Sequence, residues 1–278
     1  MKKLLIILLF FATGFEHVNV LKNTFGYIKA FYKVKTKIAL DCNDCYLSID
    51  DTSKLMQVNE VFANNPYMSS TAFIVSQTKD ETILTTSGHV CEEIILFTTE
   101  LKFKKLGIEL QENIIKNNDT FKDKSELYFV DTVAYIYSFS GEEHKIKKII
   151  AIDKEKDLCV VSTYSKWGEI VEFASKACEY EEIYNMSTSG GQYYANAVPL
   201  RKGFINNTIK KQVLNNKVYN DLSLYTLKIS PGASGSAVFN EKGKVCGSVN
   251  IAYLKLDLSA GPSSSDIIKF LEVNKIKL

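Results

Sequence analysis

The sequence predicts an all-β protein that ends in one helix. From Val58 onward, short runs of β-branched and aromatic residues alternate with polar turns, a pattern typical of strands. No long helical segment separates these runs, and no repeat of fixed period is present, so a barrel or a sandwich is expected. The runs lie at residues 71–75, 82–85, 130–137, 148–152, 158–161, 193–198, 224–229 and 244–249.

Two segments depart from the strand pattern. Residues 102–124 are polar and rich in lysine, asparagine and glutamate, which indicates a solvated surface insertion at about 100–126. Near the end of the chain, Ser263 and Asp266 have the spacing of a capping box, and apolar residues between 267 and 271 then form one helical face. A closing helix is therefore predicted.

The amino terminus has the features of an export signal. Two lysines precede an apolar run from residue 4 to 11, and small residues suited to cleavage follow. The run is too short to span a bilayer, which needs about 20 helical residues. We expect residues 1–14 to be a signal peptide, with a membrane anchor or a buried helix as alternatives, and the protein to be secreted or periplasmic. Residues 15–57 are interpreted as an amino-terminal extension.

Composition restricts the available chemistry. The 278 residues include 34 basic and 32 acidic side chains, and this near balance argues against a nucleic-acid partner. Only three histidines are present, which excludes multi-histidine metal sites, and we expect neither a metal nor another cofactor. A catalytic imidazole must be His17, His89 or His144. His17 adjoins the leader and His144 lies in a charged cluster, so both are expected at the surface, which leaves His89.

The six cysteines permit disulfides in an exported protein, but their spacing does not establish the pairing. Cys42 and Cys45 have the two-residue gap of a zinc or redox motif, although no second pair completes a metal site. A local disulfide or two inert thiols are the alternatives at that position. Cys159 and Cys246 lie in apolar runs and are interpreted as small core residues.

Three short motifs indicate nucleophilic catalysis. Ser234 is flanked by glycines between two strand-like runs, where a sharp turn exposes its hydroxyl and nearby amides. His89 follows one strand-like run, and Asp157 begins another. Together they supply a nucleophile, a general base and a carboxylate that orients the base. Asp131 and Asp153 compete with Asp157 for the carboxylate role.

These motifs resemble those of chymotrypsin-type, or trypsin-like, serine endopeptidases. Thr86-Ser-Gly-His89 is similar to the family's Thr-Ala-Ala-His, Asp157-Leu-Cys-Val-Val to Asp-Ile-Ala-Leu-Leu, and Gly232-Ala-Ser-Gly-Ser to Gly-Asp-Ser-Gly-Gly. Residues 234–247 resemble the bacterial glutamyl endopeptidase and high-temperature-requirement branches most closely. The resemblance implies a protease domain at 58–278 with two six-stranded antiparallel β-barrels.

The resemblance also implies a role for each motif residue. Ser234 is the expected nucleophile, His89 the base, and Asp157 the group that orients the imidazole. The backbone N–H groups of Gly232 and Ser234 are expected to bind the oxyanion. Ala233 replaces the aspartate that pairs with a new amino terminus in vertebrate digestive members, so activation by that ion pair is not expected.

Substrate recognition is less determined by the sequence. The resemblance directs Lys228 toward the specificity pocket, although a solvated strand lysine is the alternative. Ser248 and Asn250 are expected beside the substrate backbone. Val249 stands where glutamyl endopeptidases carry a histidine, so their preference for acidic residues is not carried over.

The function expected from the sequence is that of an exported serine endopeptidase that acts on a protein or peptide substrate through an acyl-enzyme. Membrane contact is expected only through the leader or an amino-terminal anchor. The alternative is a catalytically inactive homologue that serves as a binding scaffold, because a fold does not guarantee an activity.

Overall fold

The computed structural model of the chain describes residues 18–38, 68–96, 125–176, 178–214 and 217–278. The predicted leader, His17, the Cys42/Cys45 pair and nearly all of the predicted insertion lie outside the described residues. The chain divides into two compact units, and His89, Asp157 and Ser234 all belong to the first. That unit consists of Met1–Ile28, Ser69–Cys91 and Tyr135–Leu278, and the second of Lys29–Met68 and Glu92–Ala134.

Six strands close into a barrel in the order β1-β2-β3-β6-β5-β4. Their bounds are β1 Phe25–Ile38, β2 Met68–Gln77, β3 Thr82–Ser87, β4 Ser125–Ser138, β5 Glu143–Asp153 and β6 Leu158–Thr163. The strand β1 comes from the segment predicted as an extension, so the barrel includes residues before Val58. Every residue of β3 and β6 is buried, as expected for neighbouring strands inside a closed barrel.

The pairing of β3 with β6 determines where the first half of the candidate site lies. The two strands are antiparallel, and Ser87 at the end of β3 is opposite Leu158 at the start of β6. The residues just beyond these two ends therefore lie at the same rim of the barrel. His89 follows β3 by two residues, and Asp157 precedes β6 by one.

Seven further strands form a second sheet in the order β11-β10-β7-β8-β9-β13-β12. Their bounds are β7 Glu182–Met186, β8 Leu200–Leu214, β9 Lys217–Tyr225, β10 Ser236–Asn240, β11 Val245–Val249, β12 Ile251–Tyr253 and β13 Leu258–Gly261. The two edge strands, β11 and β12, are consecutive in the chain and are separated only by Asn250. If residues 245–253 are counted as one bent strand, the sheet has six strands. This bent strand then pairs with β10 through β11 and with β13 through β12, and so connects the two edges of the sheet.

The described residues include four helical segments: residues 18–24, α1 (Gly88–Leu96), a 3-10 turn at Ser189–Gly191 and α2 (Ser264–Val273). Ser263 caps α2 in a reciprocal capping box with Asp266, which confirms the predicted closing helix. Its apolar face, with Ile267 and Leu271 fully buried, joins a hydrophobic core that includes Leu21. No helix in the described part of the chain is long and apolar enough to cross a membrane.

Two disulfides link the described cysteines, Cys91 to Cys159 and Cys178 to Cys246. Cys159 and Cys246, interpreted from the sequence as small core residues, are buried as expected and are also the disulfide partners of Cys91 and Cys178. Their partners lie 68 residues away in sequence, so no local pattern could reveal the pairing.

Candidate active site

His89 and Asp157 meet at the rim of the first barrel. Nδ1 of His89 lies 2.9 Å from Oδ2 and 3.1 Å from Oδ1 of Asp157. The backbone N–H of His89 donates a 2.8 Å hydrogen bond to Oδ1 of the same carboxylate. Asp157 therefore holds both the ring and the backbone of His89.

The turn before β6 directs the Asp157 side chain toward His89. Asp157 has a φ of +54°, in the left-handed region that aspartate adopts more readily than most residues. Its carbonyl accepts a 2.8 Å hydrogen bond from the N–H of Gly88. The side chain of Asp157 is 3% exposed and that of His89 is 35% exposed, so the carboxylate is shielded while the ring is accessible.

This orientation is suited to a general base. A carboxylate only accepts hydrogen bonds, so Nδ1 of the neutral His89 ring carries the proton and Nε2 carries the basic electron pair. If Nε2 takes up a proton, the adjacent carboxylate stabilises the resulting imidazolium.

Asn250, at the bend between β11 and β12, supports Asp157 from the second sheet. Its Nδ2 donates to the carbonyl oxygen of Asp157 and, at 3.3 Å, to Oδ2. Its Oδ1 accepts a 2.9 Å hydrogen bond from the hydroxyl of Ser248, and both residues are buried. From the sequence, Ser248 and Asn250 were expected beside the substrate, and the contact of Asn250 with Asp157 was not predicted. The only local signal is the position of a polar residue within a buried apolar run.

The competing aspartates have other surroundings. Oδ1 of Asp153 accepts 2.9 Å hydrogen bonds from the backbone N–H groups of Glu155 and Lys156, so Asp153 stabilises the turn between β5 and β6. Asp131 lies in β4, and its side chain is outside the described part of the structure. The carboxylate that contacts His89 is that of Asp157.

The loop that carries Ser234 packs against β2 and against the end of β3, the strand that leads to His89. The carbonyl of Ser234 accepts hydrogen bonds from the N–H of Thr71, at 3.0 Å, and from the hydroxyl of Ser70, at 2.6 Å. A Cβ on Gly235 would lie 2.2 Å from Oγ1 of Thr86 and 2.7 Å from the backbone nitrogen of Ser87, so only glycine fits there. The half-buried Ser234 therefore lies on a loop in contact with the end of β3. Its hydroxyl makes no hydrogen bond to any residue that the structure describes.

Two backbone donors of the same loop are unpaired. Within the described residues, the N–H groups of Gly232 and Ser234 donate no hydrogen bond, whereas their neighbours are paired. The N–H of Ala233 donates to Ser230 at 3.2 Å, and that of Gly235 donates to Val249 at 2.7 Å. Unpaired N–H groups beside a serine nucleophile form the kind of site that binds an oxyanion.

Lys228 lies on the segment that leads to this loop. Its Nζ is 3.0 Å from Oδ1 of Asp257, and the two side chains are 77% and 57% exposed. This exposed ion pair fits the alternative of a solvated lysine, and a role in a specificity pocket stays a prediction.

His144 is not the solvated surface residue that its charged neighbours indicated. Its ring stacks on Trp167 with centroids 4.3 Å apart, and Nδ1 lies 3.0 Å from the hydroxyl of Ser165. Burial lowers the pKa of His144 below its usual value. The physical reason is strand alternation, because Glu143 and Lys145 are exposed while the residue between them points the other way.

A family model described as trypsin-like peptidase domain matches residues 70–247, a span that contains His89, Asp157 and Ser234. A search among curated proteins finds no match.

Two solved structures of Rv3671c from M. tuberculosis are similar in fold. The inactive form of a mutant has a TM-score of 0.55 and 10% identity, and the alignment covers 93% of this chain and 90% of that one. The active form of the Rv3671c protease has a TM-score of 0.55 and 11% identity, with 92% and 82% covered. The chymotrypsin-like, mainly β fold predicted from the sequence is confirmed by these similarities together with the closed barrel and the second sheet.

Proposed function

Because the chain belongs to the trypsin-like peptidase domain family, we propose that it is a serine endopeptidase with Ser234, His89 and Asp157 as its catalytic residues. The observation that carries this proposal is the paired hydrogen bonding of His89 to the buried carboxylate of Asp157 beside the loop of Ser234. Resemblance to the glutamyl endopeptidase and high-temperature-requirement branches rests on residues 234–247 alone.

In the proposed mechanism, the hydroxyl oxygen of Ser234 attacks the scissile carbonyl carbon while Nε2 of His89 accepts the hydroxyl proton. The resulting imidazolium returns this proton to the leaving amine, and an acyl-enzyme remains on Ser234. Water then attacks the ester with His89 as base, which releases the carboxylic acid and restores the hydroxyl. Hydrogen bonds between nucleophile and base often form only in the substrate complex, so the unpaired hydroxyl of Ser234 is compatible with this role.

The unpaired N–H groups of Gly232 and Ser234 provide the oxyanion hole in this mechanism. They stabilise the negative charge that develops on the carbonyl oxygen, and one such donor contributes about 3 to 4 kcal/mol in comparable enzymes. Asn250 would assist by holding Asp157 in place through the two hydrogen bonds described above. The proposed substrates are proteins or peptides, with Lys228, Ser248 and Asn250 as the predicted binding residues.

We also propose that the protein acts outside the cytoplasm. The predicted leader supports this location, and so do the two disulfides, because disulfides persist mainly in oxidising compartments. Determination of the amino-terminal residue of the exported protein tests the predicted cleavage after residue 14. An unprocessed chain would favour the anchor.

The enzymatic proposal is tested by labelling with a fluorophosphonate probe, which phosphonylates an activated serine. Wild-type protein should be labelled and Ser234→Ala should not. Ser236→Ala, which removes a buried hydroxyl two residues away at the start of β10, is the matched control and should still be labelled. A folded wild-type protein that neither labels nor cleaves a peptide library would overturn the proposal and favour the inactive binding scaffold.

A further inference from the structure

The carbonyl oxygen of Gly232 is held by two buried threonine hydroxyls. Oγ1 of Thr71, in β2 of the first barrel, and Oγ1 of Thr188, just after β7, each lie 2.9 Å from this oxygen. The two hydroxyl oxygens are 3.1 Å apart, and Thr71 and Thr188 are 1% and 0% exposed. Water therefore has no access through which it could replace either donor.

All the polar atoms of this cluster are satisfied. Each threonine hydroxyl has one proton, and the carbonyl of Gly232 has two lone pairs, so both hydroxyls can donate to it. Oγ1 of Thr71 in turn accepts a 3.2 Å hydrogen bond from the backbone N–H of Thr188. The cluster thus fixes the direction of the carbonyl of Gly232 from two sides.

The peptide before Gly232 is fixed as well. The carbonyl of Pro231 accepts a 2.6 Å hydrogen bond from the N–H of Gly190. Because the C=O and N–H of a trans peptide point in opposite directions, the N–H of Gly232 points away from Gly190. Gly232 itself has a φ of +100°, and a Cβ there would lie 2.4 Å from the carbonyl oxygen of Thr188.

Ala233, between the two proposed oxyanion donors, has no polar side chain that could hold the loop. Ala233 is fully buried in an apolar cluster with Leu227, Ile229 and Val238, and carries no charge. The hydrogen bonds from Thr71 and Thr188 are therefore the polar side-chain contacts that orient Gly232.

We propose that Thr71 and Thr188 are positioning residues that keep the N–H of Gly232 directed toward the oxyanion. They act through the backbone of Gly232 and do not touch the substrate. This inference rests on the proposed serine peptidase function. Loss of either hydroxyl would leave a lone pair of a buried carbonyl unpaired and loosen the peptide that follows Gly232, and with it the backbone that carries the N–H of Gly232.

The test compares Thr71→Val and Thr188→Val, which remove one hydroxyl each, with the corresponding serine variants, which retain it. We expect kcat on a peptide substrate to fall about 10- to 100-fold in the valine variants, with KM within about two-fold of wild type. Affinity for a peptide aldehyde, which forms a tetrahedral adduct with an oxyanion, should fall by a similar factor. The serine variants should restore both values.

The matched control is Thr82→Val. The hydroxyl of Thr82 also donates to a backbone carbonyl and accepts from a backbone N–H, both of Trp167, and is also buried. Thr82 lies at the opposite end of β3 from His89, so its loss should lower stability without lowering kcat. If a valine variant does not fold, the alanine variant at the same position takes its place.

The possible failures are distinguishable. A wild-type protein without labelling or cleavage would overturn the proposed function itself. An active wild type whose folded Thr71 and Thr188 variants retain full kcat and aldehyde affinity would overturn only the inference. An equal loss in Thr82→Val would also overturn it, because the effect would then follow from general destabilisation.

Discussion

The disulfide between Cys91 and Cys159 joins the two segments that carry the candidate base and its carboxylate. Cys91 lies two residues after His89, Cys159 lies two residues after Asp157, and both sulfur-bearing residues are fully buried. We therefore predict that replacing both cysteines by alanine impairs catalysis beyond its effect on stability.

The second disulfide provides an unusually well-matched control. Cys91 and Cys159 are 68 residues apart in sequence, and so are Cys178 and Cys246. In the chain-entropy model, loss of either link therefore removes the same stabilisation, about 4 kcal/mol. Both double-alanine variants should show a similar decrease in the free energy of unfolding, measured by urea denaturation.

The two variants should differ in activity. A displacement of about 1 Å between catalytic groups costs about 100-fold in rate, and of the two disulfides only Cys91–Cys159 joins the segments of His89 and Asp157. We expect kcat to fall about 100-fold in the Cys91/Cys159 variant and to change less than about three-fold in the Cys178/Cys246 variant. Both are assayed at a temperature at which they are folded.

Equal values of kcat in the two folded variants would refute this reasoning. The disulfide near His89 would then stabilise the fold without positioning the catalytic pair. A large difference in the free energy of unfolding would instead refute the assumption that loop length dominates the stabilisation.

Acidification from pH 7.5 to 5.5 should lower stability, because burial lowers the pKa of His144 and the folded chain then binds fewer protons than the unfolded chain. Stability should fall as the pH drops through the pKa that His144 has in the unfolded chain, and it should level off below the pKa of His144 in the folded chain. Urea unfolding at a series of pH values measures this change. A His144→Gln variant with the same pH dependence would contradict the prediction. Because Trp167 is the single tryptophan, its fluorescence should titrate with His144. Asn250→Ala should lower kcat about 10-fold by releasing Asp157, whereas an unchanged kcat would show that the contact is dispensable. Gly235→Ala should leave little folded protein, seen as a weak or absent thermal unfolding transition, because the added Cβ would clash with β3, the strand before His89. A thermal unfolding curve like that of wild type would show that the loop can shift.

Local patterns accounted for much of the fold and for the candidate catalytic residues. Short runs rich in β-branched residues predicted strands, because the preference for a strand is carried by consecutive residues of the sequence. The capping box at Ser263 was recognisable for the same reason, since its two hydrogen bonds span three residues. His89, Asp157 and Ser234 were identified by short motifs and their order along the chain.

Contacts between distant segments were beyond such patterns. His144 was misjudged because its charged neighbours occupy the other face of β5, while its stacking partner Trp167 lies 23 positions further along the chain. The contact of Asn250 with Asp157 depends on the bend between β11 and β12. In neither pair does the type of one residue require the other residue in the sequence.

Short-range patterns are enough to predict a mainly β chain that ends in a capped helix and carries a histidine, an aspartate and a serine in the order of a serine peptidase. The folded chain was needed to show that Asp157 is the carboxylate at His89, that the described cysteines pair as they do, and that Thr71 and Thr188 hold Gly232. Periodicity and caps arise from interactions over a few residues, whereas these contacts join segments 44 to 161 residues apart and exist only after the strands have paired.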